Sequence, residues 1–169
     1  MSQPPWVADE RSLRHTSARG NGEVTIWFPA PLVIVYKYKG LAEVSLAKFV
    51  EKTFDDTFGP DQRHIHLFSD TEGATGYSPD FRRVTSERAF RIQDRTDTYC
   101  VLVKSRVIAF GVTAAAFAMG LPRANGLTGR ISAISDRSLF NARIEAAVRK
   151  SLELGPRPEE RSGEYPRGR

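Results

Sequence analysis

Residues 32–38 are dense in β-branched and aromatic side chains, an apolar run Leu32–Tyr36 followed by Lys37 and Tyr38, and the chain then changes period. In Leu41–Phe58 the residues Leu46, Phe49, Val50, Phe54 and Phe58 recur at helical spacing, and Gly59-Pro60 supplies a stop. A strand places alternate residues on opposite faces, whereas a helix gathers residues three and four apart onto one face. The pair therefore reads as a central strand followed by an amphipathic helix packed on a sheet.

The same switch recurs along the chain. Thr25–Phe28 is a strand before Pro29-Ala30-Pro31, and His64–Phe68 is a short strand followed by the polar, glycine-containing segment 69–77, read as a loop. Ser78-Pro79 has the form of an N-cap with proline at the first helical position, opening a helix with Phe81, Val84 and Phe90 inward. Thr98–Val103 is a buried-type strand, Val107–Met119 an apolar helix closed by Leu121-Pro122, and Leu127–Ser135 a last strand. Asp136 caps a final helix whose stripe is Phe140, Ile144, Ala147, Val148 and Leu152. The order β-β-α-β-α-β-α-β-α implies an α/β fold with a mainly parallel sheet, because helical crossovers are how parallel neighbours are joined.

Residues 1–22 and 155–169 are rich in Pro, Gly, Ser and Arg and poor in apolar side chains, so they read as disordered tails around one domain, 23–154. With 169 residues, 40% of them apolar and 27% charged, the composition is that of an ordinary globular domain that needs no metal or disulfide staple. The single cysteine, Cys100, lies inside an apolar strand and reads as an inert buried thiol; together with the charged N-terminal stretch it points to a cytoplasmic address. No segment reaches the about 20 apolar residues that span a bilayer.

The formal net charge of +5 is local. Segment 82–95 carries Arg82, Arg83, Arg88, Arg91 and Arg95 against Glu87 and Asp94, and the rest of the domain is balanced. Nucleic-acid binders spread cations over a face and add a groove-reading motif, and neither feature is found, so no nucleic-acid partner is expected. Two readings of the segment stand: a solvated helix face with Arg91 pairing Glu87, or a phosphate-binding patch.

Strong chemical signatures are missing. There is no Gly-x-Gly-x-x-Gly after a strand, no Gly-Lys-Ser/Thr phosphate loop and no Gly-x-Ser-x-Gly elbow. His64 and His66 are two potential ligands without a third nearby, so they read as structural, and neither a metal nor another cofactor is expected. Asp70 and Glu72 are a carboxylate pair without a recognisable pocket. Lys104-Ser105-Arg106 stands at a strand-to-helix junction, where it either cradles an anion against helix N–H groups or simply caps the helix.

Four segments, LVIVYKYKG with its helix, HIHLFSDTEGATGYSPDFR, YCVLVKSRVIAFGV and RISAISDRSLFNARIEAAV, together cover most of 23–154. In element order and in the loop after the third strand they resemble the STAS domain of anti-sigma-factor antagonists, and most of all its stand-alone bacterial STAS-like members. The resemblance implies a four- to five-stranded, mostly parallel sheet with helices mainly on one side, no intrinsic catalysis, and a protein partner such as an anti-sigma-like kinase or another signalling protein. Phosphorylated members carry their acceptor in an Asp-Ser-Ser-Gly-like sequence where the third strand meets the next helix. This chain has no Ser-Ser-Gly there and offers Asp70, Thr71, Thr75 and Ser78 instead.

The first expectation is thus a regulatory or scaffolding protein that binds its partner through Asp70, Thr71, Ser78 and Arg82. A phosphate on Ser78 would meet a helix N-terminus and Arg82; the competing reading makes Ser78 only a cap. The rival class is a binder of a lipid or another hydrophobic anion, with the 107–119 helix as a wall and Lys104, Ser105 and Arg106 at its mouth. Thr25–Phe28, if it is a free edge, would allow pairing into a homodimer.

Overall fold

The computed structural model describes residues 12–104 and 131–154. The expected helix Val107–Met119, the residues Ser105 and Arg106, the beginning of the last strand at 127–130 and the tails 1–11 and 155–169 lie outside the described residues. The elements are β1 (Ser12–Thr16), β2 (Gly22–Ala30), β3 (Val33–Ala42), α1 (Val44–Thr57), β4 (Ile65–Tyr77), α2 (Pro79–Ile92), β5 (Thr96–Leu102), β6 (Ile131–Ile134) and α3 (Arg137–Glu153). A 3-10 turn, Gln93–Arg95, joins α2 to β5.

The six strands lie in chain order across one sheet. β1, β2 and β3 are antiparallel neighbours, and β3 to β6 are parallel. Parallel strands stepping one way across a sheet with right-handed crossovers leave their connecting helices on one face. α1 and α2 accordingly share a face, over a core of Ile26, Ile34, Tyr36, Val50, Phe54 and Leu67. α3 follows the last described strand and is no crossover between described strands, so it folds onto the opposite face over Val33, Val35, Phe68, Cys100, Phe140 and Ile144. Both faces of β3 are therefore covered over Val33–Tyr36, which explains why that half is a continuous apolar run, while from Tyr36 to Lys39 buried tyrosines alternate with exposed lysines.

Three expectations change. Part of the supposed N-terminal tail is strand: β1 pairs with β2 from Ser12↔Trp27 to Thr16↔Glu23, and His15 stacks on Phe49 of α1 at 4.6 Å. The sheet consequently has six strands, one more than expected, and Thr25–Phe28 is not a free edge because β1 occupies it. The first helix begins at Val44 because Leu41 and Ala42 still pair with β4.

The third change concerns segment 69–77, which is strand and not loop. β4 runs on to Tyr77 beside β3, with register shifts opposite Lys37/Lys39 and Gly40/Leu41. Bulges add a residue and bend a strand without ending it. A Cβ on Gly73 would lie 2.6 Å from the Tyr38 carbonyl oxygen, so this glycine answers a close approach between strands and does not mark a turn.

Candidate functional site

The bulged half of β4 places the residues singled out from the sequence. Asp70 continues the His66, Phe68 alternation toward α3 and is 1% exposed. Its carboxylate accepts from Arg137 Nη1 at 2.7 Å and from the Glu72 backbone N–H at 3.1 Å. Arg137 also donates to Glu72 through Nε, at 3.2 Å, and through Nη2. One guanidinium in the first turn of α3 thus clamps two carboxylates of the sheet. Burial pulls the Arg137 pKa down, but the hydrogen bonds and charges of Asp70 and Glu72 outweigh it and raise it. Thr71 is also buried, and its hydroxyl donates to the Leu102 carbonyl at 2.7 Å, tying β4 to β5. Asp70 and Thr71, expected on a partner-facing loop, are therefore inside the fold and fully engaged.

Ser78 is the N-cap of α2, and its Oγ accepts from the Phe81 N–H at 3.1 Å with Pro79 at the first helical position. Arg82, one turn on, is exposed, and its side chain makes no ion pair or hydrogen bond with any described residue. Lys104 follows the end of β5 and is exposed; the anion cradle expected with Ser105 and Arg106 extends outside the described residues.

The other four arginines of the basic segment have internal roles. Arg83 pairs with Asp80 at 3.7 Å and with Glu87 at 3.1 Å, and Arg91 pairs with Glu51 of α1 instead of the expected Glu87. Arg95 donates to the carbonyls of Phe58, Gly59 and Gln62, closing the end of α1, and its guanidinium lies 5.1 Å from the Phe54 ring centre. Arg88 is the unusual one: only 3% exposed, it donates to the Tyr36 hydroxyl and stands over the Tyr36 and Phe54 rings at 5.3 and 5.5 Å. Burial disfavours its charge, yet the surrounding phenols of Tyr36, Tyr99 and Tyr38 keep it protonated with a raised pKa. Burial in turn pushes the Tyr36 and Tyr38 hydroxyls upward. Arg88 was legible from position: it lies four residues after Val84 and four before Ile92, on the apolar stripe.

At the other end of the parallel strands, Asp97 of β5 pairs with Lys150 of α3 at 2.8 Å and with His64 Nδ1 at 3.2 Å. His64 takes a left-handed backbone, φ 62°, where β4 begins. His66 is buried and its Nδ1 meets Thr98 Oγ1 at 3.1 Å, while Nε2 has no hydrogen-bond partner among the described residues. Among the described residues no three His, Cys, Asp or Glu are placed to hold a metal ion, and no helix is long and apolar enough to cross a membrane. Cys100 is buried, which pushes its thiol pKa up, and Arg143 lies 3.7 Å from Sγ while donating to Ser132 at 2.7 Å.

No protein-family model matches the sequence. No curated protein matches it at a significant level. Among solved structures the chain is similar to one described as an uncharacterized protein from the DUF3478 family with a SpoIIAA-like fold, from Shewanella loihica. The sequence identity is 9%, the match covers 72% of this chain and 82% of that one, and the TM-score is 0.49. The mixed α/β architecture of a mostly parallel sheet with flanking helices stands on the strand pairing of this chain itself.

Proposed function

We propose that this chain is a non-catalytic binding module of the regulatory or scaffolding kind, and that the outward stripe of α2 is its partner-facing surface. The stripe comprises Arg82, Arg83, Ser86, Glu87 and Phe90, residues that fall on one side of a helix at i, i+4 and i, i+7 spacing. The observation that supports it most is the contrast within the basic segment: Arg82 is the arginine left without an intramolecular partner among the described residues, and Phe90 on the same side is 37% exposed. Phe90, expected inward, is thus on the outer side about two turns from Arg82, and arginines and large aromatic side chains are the residue types that most often carry interface binding energy. The partner face the stripe complements is acidic with an apolar recess.

Asp70 and Thr71 contribute by rigidity and not by contact, since both are buried. The test is affinity capture with the tagged chain, reading bound proteins by mass spectrometry for wild type, Arg82→Glu and Phe90→Ala. The proposal expects one set of proteins lost with both variants while thermal stability is unchanged. Equal capture by all three chains would remove the α2 stripe from the account.

A further inference from the structure

We propose that His66 is the trigger of an acid-sensitive latch holding the last turns of α3 against the sheet. The latch is a chain of contacts at one end of the molecule, separate from the α2 stripe. The Ser151 hydroxyl of α3, fully buried, accepts from the Leu32 N–H at 2.9 Å. The Leu32 carbonyl accepts from the His66 N–H at 2.8 Å, so the strand carrying His66 and the helix carrying Ser151 meet on one residue, through its two flanking peptide groups. Next to Ser151, Lys150 reaches Asp97 of β5, which also holds His64.

His66 is suited to act as the trigger because its imidazole is buried and half satisfied. Nδ1 is occupied by Thr98 Oγ1 and Nε2 has no partner among the described residues. The charged groups that act on it come from every side: Lys150 on α3, Asp97 on β5 and His64 at the start of β4, while its lateral neighbour on β3 is the apolar Val33. In the protonated ring both nitrogens carry N–H, so Nε2 is a donor without an acceptor among the described residues, whichever nitrogen held the hydrogen before, and positive charge is added beside Lys150. The carboxylate near it among the described residues, Asp97, is already shared by Lys150 and His64. The arrangement relaxes when the end of α3 moves away and water reaches the ring.

The direction with pH follows from that environment. Desolvation first, then the charge of Lys150 and the nearby His64, push the His66 pKa down to about 4, with Asp97 opposing. An imidazole free in water takes its proton at about pH 6.5. The closed latch therefore binds fewer protons than the open one between those values, and closure is weakened as pH falls through that window. At the opposite end of α3 the Arg137 clamp contains no histidine among its described partners, so it does not share this dependence.

The test is amide hydrogen exchange by NMR on the full chain, comparing the Leu32 amide with the Val103 amide. The Val103 N–H donates to Ile134 at 2.9 Å and reports the other end of the strands. After correction for the intrinsic pH dependence of exchange, lowering the pH from about 7 to about 5 is expected to speed Leu32 about tenfold, with Val103 unchanged. In His66→Gln the Leu32 acceleration is expected to vanish. Equal acceleration at both amides, or an unchanged Leu32 response in His66→Gln, overturns the proposal. Because His66→Gln can fail to fold, the wild-type imidazole is titrated in samples taken on down to about pH 3.5: a ring that stays neutral to a midpoint near 4, with Leu32 exchange accelerating from about pH 6.5 and levelling off near that midpoint, supports the latch, and a His66 titration that leaves Leu32 exchange unchanged overturns it.

Discussion

Arg82 and Arg88 stand on the same helix, less than two turns apart, and are used in opposite ways. Arg88 is inside, hydrogen-bonded to Tyr36 and lying over two aromatic rings; Arg82 is outside and unpaired among the described residues. A basic segment is thus not one feature. Four of its five arginines are occupied within the fold, by Tyr36, by carboxylates or by the carbonyls at the end of α1, and the remaining one, Arg82, has no side-chain partner among the described residues. The lesson is that charge counted along a sequence overstates the charge a surface offers, because an arginine can serve as a long apolar stem with a donor tip.

This contrast can be sharpened by a graded set of substitutions. The largest effect is expected from Arg88→Ala, which empties a core position and leaves the Tyr36 hydroxyl buried without its partner; chemical denaturation should show a loss of about 3–4 kcal/mol. Arg88→Met keeps most of the volume and removes the buried charge, so it should cost much less than Arg88→Ala, on the order of 1 kcal/mol. If the two variants are equally destabilised, the guanidinium itself and not its stem carries the site. Arg137→Met should cost about 2–3 kcal/mol, since Asp70, with a side chain 2% exposed, would be left buried and unpaired. Restoring most of that stability with Asp70→Asn in the same chain would show that the loss is the stranded charge.

Smaller still is Ser78→Ala, which removes the N-cap acceptor of α2 and should lower stability by about 1 kcal/mol by the same assay. A phosphate-mimicking Ser78→Asp keeps an acceptor at the cap and should be close to neutral. Arg82→Ala is expected to lie within about 0.5 kcal/mol of wild type, as an exposed side chain without partners should. A loss beyond about 1 kcal/mol at Arg82 would mean that it, too, is occupied within the fold, and the distinction from Arg88 would collapse.

Most of the architecture was legible in the sequence, because periodicity reports burial. The switch from Leu32–Tyr38 to the Leu46, Val50, Phe54 stripe, and the caps at Ser78 and Asp136, identify β3, α1, α2 and α3. The site was less legible, for two physical reasons. Segment 69–77 carries polar residues and glycines, which mark a loop when the strand they belong to is assumed regular. In a bulged strand the same residues serve close backbone approach at Gly73 and a buried clamp at Asp70. The second reason is distance along the chain: Arg137 is far from Asp70 in sequence, and no local pattern links them. Likewise β1 escaped notice because Ser12–Thr16 is short, mostly exposed and polar, so its place in the sheet comes from pairing with β2 and not from its own composition.

The most direct test of the account is a matched charge reversal. Arg82→Glu on α2 and Lys48→Glu on α1 change the net charge equally at exposed positions, and both chains are compared with wild type for the proteins they capture. The account predicts that Arg82→Glu loses its partner while Lys48→Glu keeps it, with all three chains melting together. Loss of capture in both variants, or in neither, would contradict the claim that the free arginine of α2 marks the binding surface.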